Sequence, residues 1–154
     1  MIQLQRSTDM PTIRAIANDS RIYDQMAEDG SPKCGEYEPP VDGAIYVLVW
    51  HEGTPRGMFA LVPKSAIRFE VHTLLLPELS PWRKLEAAAR MSLWVWANTP
   101  CRSLFTEVPL VNSAALGFAK AAGMVEFGRE PKAFLKNGEL HDIMWLGMNR
   151  PEEN

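Results

Sequence analysis

The chain has 154 residues, of which 46% are hydrophobic and 23% are charged, and its net charge is −3. These values are typical of a folded domain and exclude a disordered chain. The net charge gives no electrostatic support for nucleic-acid binding, and two cysteines cannot form a disulfide scaffold. No apolar run approaches the length of a membrane span or of a signal peptide. We therefore expect one cytoplasmic domain over residues 1–148, a frayed tail over 149–154, and no nucleic-acid or membrane partner.

The first part of the chain predicts a strand, two helices and a long loop. Residues 1–5 alternate between apolar and polar side chains, which is typical of a strand. A capping side chain before Pro11 predicts a helix start, and Ile22 with Met26 predicts a second short helix. Three prolines and two glycines in residues 31–43 predict a loop, which is our candidate for a mobile flap.

An antiparallel meander is predicted for the centre of the chain. Residues 44–50 and 57–62 are apolar, β-rich runs joined by a turn. Residues 67–76 follow as a long strand whose alternate side chains face opposite sides of the sheet. On that pattern Glu70 and His72 share one face.

The strongest helix signal follows this strand. Ser80 predicts the cap and Pro81 the first helical position. An apolar stripe recurs at helical spacing on Leu85, Ala89, Leu93 and Trp96. Trp94 makes the helix apolar on a further side, so we consider both packing into the core and a homodimer through an apolar helix face.

The remaining elements begin with a strand over residues 101–108 and a helix over 113–122 that is capped by Asn112. Two short strand pieces follow at 125–127 and 133–135, and a final strand over 141–148 comes after an Asn137-Gly138 turn. With the two short pieces counted as one strand, the complete order is β-α-α-β-β-β-α-β-α-β-β. This order predicts the α+β class, with a mixed, mostly antiparallel sheet.

Three pieces of the chain carry a resemblance to a known family. They are the strand ending Leu75-Leu76-Pro77 with the helix segment that opens at Arg83, the asparagine-capped run 112–124, and the hairpin 137–144. In these pieces, and over nearly its whole length, the chain resembles the GNAT superfamily of acyl-CoA-dependent N-acyltransferases, and more loosely its phage-encoded members. The resemblance implies a GNAT-like fold and acetyl-CoA as co-substrate.

The resemblance also implies where acetyl-CoA would bind. Its pantetheine arm would enter between two parted strands, here residues 67–76 and 101–108, and its pyrophosphate would lie at the start of the following helix. The implied cofactor-binding residues are Leu75 at the thioester carbonyl, Arg83, Lys84 and Ala88 at the phosphates, and Asn112 at the pantetheine. The chain departs from the family pattern at Glu86, which replaces a glycine of the phosphate-binding run, and at Ala119, where many members have a tyrosine that protonates the leaving thiolate.

The acceptor amine needs a base, because amines of the lysine type titrate near ~10.4 and are protonated at neutral pH. Glu70 and His72 are the first candidates and Glu107 is another. The alternative is that Glu70 pairs with an arginine, His72 is a half-buried sheet residue and Glu107 ends a solvated strand. Cys34 and Cys101 have no partner at metal-ligand spacing, so no metal site is predicted.

Two functions follow from these observations. The first is an enzyme that moves an acetyl group from acetyl-CoA to an amine of a small molecule or peptide, with the acidic side chains of loop 31–43 (Glu36, Glu38 and Asp42) helping to bind a cationic acceptor. The second is a non-catalytic module on the same fold that serves assembly or protein interaction, for example of a phage head. Glu86, Ala119 and the tryptophan-rich helix favour the second function.

Overall fold

Seven strands and four helices are formed by residues 1–153, the part of the chain that the computed structural model describes. The strands are β1 (Ile2–Ser7), β2 (Ile45–His51), β3 (Thr54–Pro63), β4 (Arg68–Leu75), β5 (Ser103–Pro109), β6 (Val125–Lys136) and β7 (Glu139–Asn149). The helices are α1 (Met10–Ala17), α2 (Ser20–Met26), α3 (Pro81–Asn98) and α4 (Ser113–Ala121). The strands form one sheet in the order β1-β2-β3-β4-β5-β7-β6, in which β4 and β5 are parallel and the other pairs are antiparallel. The predicted fold class and element order are confirmed.

Two apolar clusters cover the two faces of the sheet. α3 and α4 pack over one face, where they meet Phe59 and Phe69 among other strand residues. α1 and α2 cover the opposite face, where Ile13 and Ile22 pack in one cluster with Met58. Because β4 alternates, its odd-numbered residues join the first cluster and its even-numbered residues turn toward α1 and α2.

The buried side of α3 differs from the predicted stripe. Its buried residues are Ala87, Ala88, Met91 and Val95. Leu93, a member of the predicted stripe, is 66% exposed, and Trp94 and Trp96 lie partly buried against the core. Apolar residues surround this helix, so their spacing alone could not define which side meets the sheet.

β6 is one continuous strand, where the sequence predicted two short pieces. Its pairing with β7 is irregular between Glu130 and Phe134. There Pro131 has no N–H to donate, and Lys132 has a positive φ of 53°. The Lys132 amide donates to Asp142 Oδ1 at 2.9 Å. This bulge interrupts the alternation of apolar and polar side chains along β6, which is why the sequence predicted two pieces instead of one strand.

The loop between α2 and β2 is present as predicted, but side chains hold it in place. Asn18, at the end of α1, accepts from the amides of Gly35 at 2.9 Å and Tyr37 at 3.1 Å. The Tyr46 hydroxyl on β2 donates to the carbonyl of Pro40 at 2.6 Å. The segment that we predicted as a mobile flap is thus anchored to both α1 and β2.

The tip of the β6–β7 hairpin docks on the end of α2. The amides of Asn137 and Gly138 donate to the Asp29 carboxylate at 3.0 and 2.8 Å. These two hydrogen bonds hold the pKa of Asp29 below its ordinary value. Lys136 Nζ donates to two carbonyl oxygens at the end of α2. The position of α2 therefore depends on the last hairpin of the chain.

The end of β7 is more ordered than predicted. β7 includes Asn149, and the amide of Arg150 donates to the carbonyl of Arg102 at 2.8 Å. Two residues of the tail that we predicted from residue 149 are therefore held against the start of β5. Asn154 lies outside the described residues.

Candidate active site

β4 and β5 separate after a short stretch of pairing. Their parallel register joins Arg68 to Ser103, Phe69 to Leu104 and Glu70 to Phe105. Beyond these pairs, residues 71–75 of β4 and 106–109 of β5 continue without pairing to each other. Backbone groups on the facing edges need other hydrogen-bond partners. The two strands thus border a cleft, and they are the two that the family resemblance implied.

α3 begins shortly after β4 ends, and its first amides are largely satisfied within the chain. The Ser80 hydroxyl accepts from the Arg83 amide at 3.2 Å, and the Ser80 carbonyl accepts from the Lys84 amide at 3.0 Å. Pro81 has no N–H. Of the backbone amides at positions 82–84, the Trp82 amide therefore has no hydrogen-bond partner among the described residues. This helix start therefore offers an anion fewer donors than an uncapped helix would.

Glu86 lies in the second turn of α3, where its carboxylate is held by side chains of the same helix and by β1. Its carboxylate accepts from Arg83 at 2.7 Å and from the amide of Ile2 at 3.4 Å, and it lies 3.5 Å from Arg90. The Arg83 hydrogen bond is the main cause that holds the pKa of Glu86 below its ordinary value. The guanidinium of Arg83 is consequently occupied, whereas Lys84 makes no ion pair among residues 1–153.

The other residues assigned by resemblance have different surroundings. Leu75 ends β4 at the cleft and lies opposite Gly57 of β3. Asn112 caps α4, its Oδ1 accepting from the Ala115 amide at 3.1 Å. Ala88 is 6% exposed and packs in the core, as does Ala119 at 7%. The resemblance implied Ala88 at the phosphates, but α3 already begins at Pro81 and the buried residue 88 lies about two turns inside it.

A cavity of about 410 Å³ lies on the α1–α2 side of the sheet. Its walls come from α1, α2, the anchored loop and strands β2 to β4. His72 and Leu74 contribute from the half of β4 that has parted from β5. The cavity and the cleft therefore share one strand.

Glu70 and His72 are in contact at one end of this cavity. Glu70 Oε1 lies 3.2 Å from His72 Nε2 and 3.7 Å from Lys64 Nζ. Glu70 is 9% exposed, so its charge is largely shielded from water. The hydrogen bond with His72 is the main cause that lowers the pKa of Glu70 despite this burial. The carboxylate is therefore ionised at neutral pH, and its partners are His72 and Lys64 rather than an arginine.

Glu107 lies on β5, beyond the point where β4 and β5 part. Loss of water around its carboxyl, and then the charges of Glu70 and Glu130, raise the pKa of Glu107. A raised pKa makes a carboxylate a stronger proton acceptor. Glu107 thus keeps its place as the further candidate base.

Glu36, Glu38 and Asp42, the acidic loop residues that we predicted to help bind a cationic acceptor, do not line the cavity beside β4. Glu38 pairs with Arg14 at 2.9 Å and lines a separate cavity of about 430 Å³ beside α1. The loop instead contributes Tyr37, Pro39 and Pro40 to the cavity beside β4. Sequence reasoning missed this aromatic contribution. The available signal was a tyrosine close to two adjacent prolines in an otherwise polar loop.

Within residues 1–153, no group of three or more His, Cys, Asp and Glu side chains is placed to hold a metal ion. No helix in the same range combines the length and apolar character needed to cross a membrane. Cys34 and Cys101 are both free thiols.

Comparison with known proteins identifies the fold. No family model matches the chain, and no match is found among curated protein sequences. Among solved structures, a spermidine N-acetyltransferase from Vibrio cholerae, in complex with CoA and spermine, is similar with a TM-score of 0.78 and 16% identity over 96% of this chain and 95% of that one. An N-acetyltransferase from Staphylococcus aureus Mu50 is similar with a TM-score of 0.70 and 16% identity over 97% of each chain. The chain has the GNAT N-acetyltransferase fold.

Proposed function

We propose that this protein is an N-acetyltransferase that moves an acetyl group from acetyl-CoA to an amine. The observation that carries the proposal is the parting of β4 and β5 beside the start of α3, with the Glu70–His72 pair on the same strand. A merely structural sheet gains nothing from leaving two neighbouring strand edges unpaired. The two free cysteines fit a reducing, cytoplasmic setting.

The chain's own groups fit the donor in two places. The unpaired backbone of residues 71–75 and 106–109 would hydrogen-bond the amides of the pantetheine arm and the thioester carbonyl, with Leu75 at the end of β4. Lys84 and the Trp82 amide would meet the phosphates, and Asn112 would lie at the start of α4 beside the arm. Arg83 contributes only when it leaves Glu86. When bound, acetyl-CoA supplies the activated acetyl group.

His72 is placed to take the proton of the acceptor amine. Because Glu70 is ionised it can only accept a hydrogen bond, so His72 Nε2 carries the hydrogen in their 3.2 Å contact. His72 Nδ1 is then the ring nitrogen with a free lone pair. As Nδ1 takes a proton, the charge of Glu70 stabilises the imidazolium. Glu70 is thus a positioning residue and His72 the proposed base.

Acetyl-CoA binding is the first expected result. We expect a calorimetric titration to give heat, and a thermal-shift series to show stabilisation of about 2.7 kcal/mol at a hundred times the dissociation constant. Desulfo-CoA, which keeps the nucleotide and the pantetheine amides but cannot carry a thioester, serves as a control for binding that does not involve the acetyl group. Neither heat nor thermal shift at millimolar acetyl-CoA would contradict the proposed function.

The variant Glu86→Gln tests the role of this carboxylate. It keeps the size of the side chain, removes its charge and releases Arg83, so we expect acetyl-CoA affinity to rise by about two- to fivefold at low ionic strength. The gain should disappear in ~0.5 M salt, because it comes from charge. A larger gain that persists in salt would mean that Glu86 physically obstructs the phosphate site.

A non-catalytic role in assembly is the second candidate, and specific observations favour it. Trp82 is 71% exposed and Leu93 66% exposed on the outer side of α3. The start of α3 is also self-capped by Ser80, which weakens a phosphate site. A partner would cover this apolar side, whether a second copy or an assembling protein, as in a phage head. Light scattering of the protein and of Leu93→Glu would measure self-association through this side.

A further inference from the structure

The cavity beside β4 has one charged end and one apolar end. Lys64, Glu70 and His72 form the charged end. The chain's three tyrosines, Tyr23, Tyr37 and Tyr46, also line this cavity, and we call this part of the lining its tyrosine end. Tyr46 lies on β2, two strands away from His72 on β4. Such an arrangement orients a ligand that has a polar head and an apolar body.

Two of the three tyrosine hydroxyls already donate a hydrogen bond within the chain. Tyr23 donates to the carbonyl of Pro32, and Tyr46 donates to the carbonyl of Pro40 at 2.6 Å. Loss of surrounding water raises the pKa of both phenols, so both remain protonated donors. What these two residues offer to a ligand is therefore ring surface.

The charge of the lining argues against a ligand with several cations. Among the described residues that line the cavity, Glu70 is the one carboxylate, and it already faces His72 and Lys64. A second ammonium placed at the tyrosine end would lose water without gaining an anionic partner. Cation–π contact with the tyrosine rings would offset only part of the free energy lost when that ammonium leaves water.

We propose that the acceptor is a primary monoamine carried on an apolar or aromatic body, with its amino group at Glu70 and His72 and its body against the three tyrosines. This proposal rests on the acetyltransferase function proposed above. It separates this chain from the Vibrio cholerae protein of the same fold, which was crystallised with the polyamine spermine.

A matched pair of amines tests the proposal. Heptylamine and 1,6-diaminohexane have the same length and differ in a terminal methyl or ammonium group. With acetyl-CoA and the complete protein, we expect kcat/KM to be at least about tenfold higher for heptylamine, because only the diamine buries an unpartnered charge. Spermidine should be used no better than the diamine.

A charge introduced at the apolar end should abolish this preference. Met26 lines the cavity at the end of α2 and is 43% exposed, so Met26→Glu should fold normally. We expect this variant to raise the ratio of diamine to heptylamine turnover by about tenfold. Leu93→Glu, a change on the exposed side of α3, is the matched control and should leave the ratio unchanged.

Amine binding to the protein without acetyl-CoA keeps the two proposals separable. Thermal shifts that favour heptylamine over 1,6-diaminohexane, and that lose this preference in Met26→Glu, support the monoamine site. They do so even where acetyl-CoA neither binds nor turns over, a result that would remove only the acetyltransferase function. Turnover or binding of the diamine or of spermidine at or above that of heptylamine overturns the monoamine proposal, and so does the absence of binding by every amine.

Discussion

The variant His72→Ala should lose about 10²- to 10⁴-fold in kcat, the usual contribution of a positioned base. The loss should fall on kcat and leave the dissociation constant of acetyl-CoA unchanged, because His72 faces the acceptor cavity. The deficit should also shrink as the pH approaches ~10, where the amine itself releases its proton. Stopped assays of CoA release over a pH series measure both effects.

Two further variants make this result interpretable. His51→Ala changes a histidine at the end of β2, away from the cavity lining, and should behave as the parent protein. Glu107→Gln tests the other candidate base. If Glu107→Gln lost more activity than His72→Ala, the assignment of the base to His72 would be wrong.

The variant Gly57→Ala should damage both stability and acetyl-CoA binding. A Cβ at Gly57 would lie 2.5 Å from the carbonyl oxygen of Leu74 and 2.8 Å from Cα of Leu75, at a φ of +152°. These contacts are with backbone, so β4 must move at the end that borders the cleft. We expect a loss of about 2–5 kcal/mol in the free energy of unfolding, from strain and overpacking together. Denaturant unfolding and a calorimetric titration measure the two consequences.

Matched glycines separate the causes of this effect. Gly53→Ala introduces strain at a φ of +75° with no atom within 4 Å, so it should lose stability but keep acetyl-CoA affinity. Gly117→Ala lies in α4 with open space around it and should gain up to about 1 kcal/mol. Unchanged acetyl-CoA affinity in a folded Gly57→Ala protein would mean that the end of β4 does not contribute to binding.

The order of the elements could be predicted because its signals are local. Ser80 and Asn112 cap their helices through side-chain contacts to residues three positions on, and both contacts are present. The Asn137-Gly138 turn depends on the backbone freedom of two adjacent residues. The buried side of α3 could not be predicted, because it depends on which apolar side the sheet covers.

The site could be predicted in part for the same reason. Alternation along β4 places Glu70 and His72 on one face, which is a property of a single strand. The contact of Lys64 with Glu70 depends on the pairing of β3 with β4, and the tyrosine end depends on how α2 and the loop fold over the sheet. The charge balance of the cavity, and with it the chemistry of the acceptor, is a property of tertiary structure.

The hydrogen bonds between Asp29 and the β6–β7 turn have a consequence for the order in which the protein folds during its synthesis. α2 carries Tyr23 and Met26 of the cavity wall, and the turn that secures the end of this helix lies 108 and 109 residues later in the chain. A ribosome delivers the N-terminal helices first, and closing so long a loop costs chain entropy that only the finished sheet offsets. We therefore expect the cavity that we propose for the amine to be incomplete until β7 has emerged from the exit tunnel.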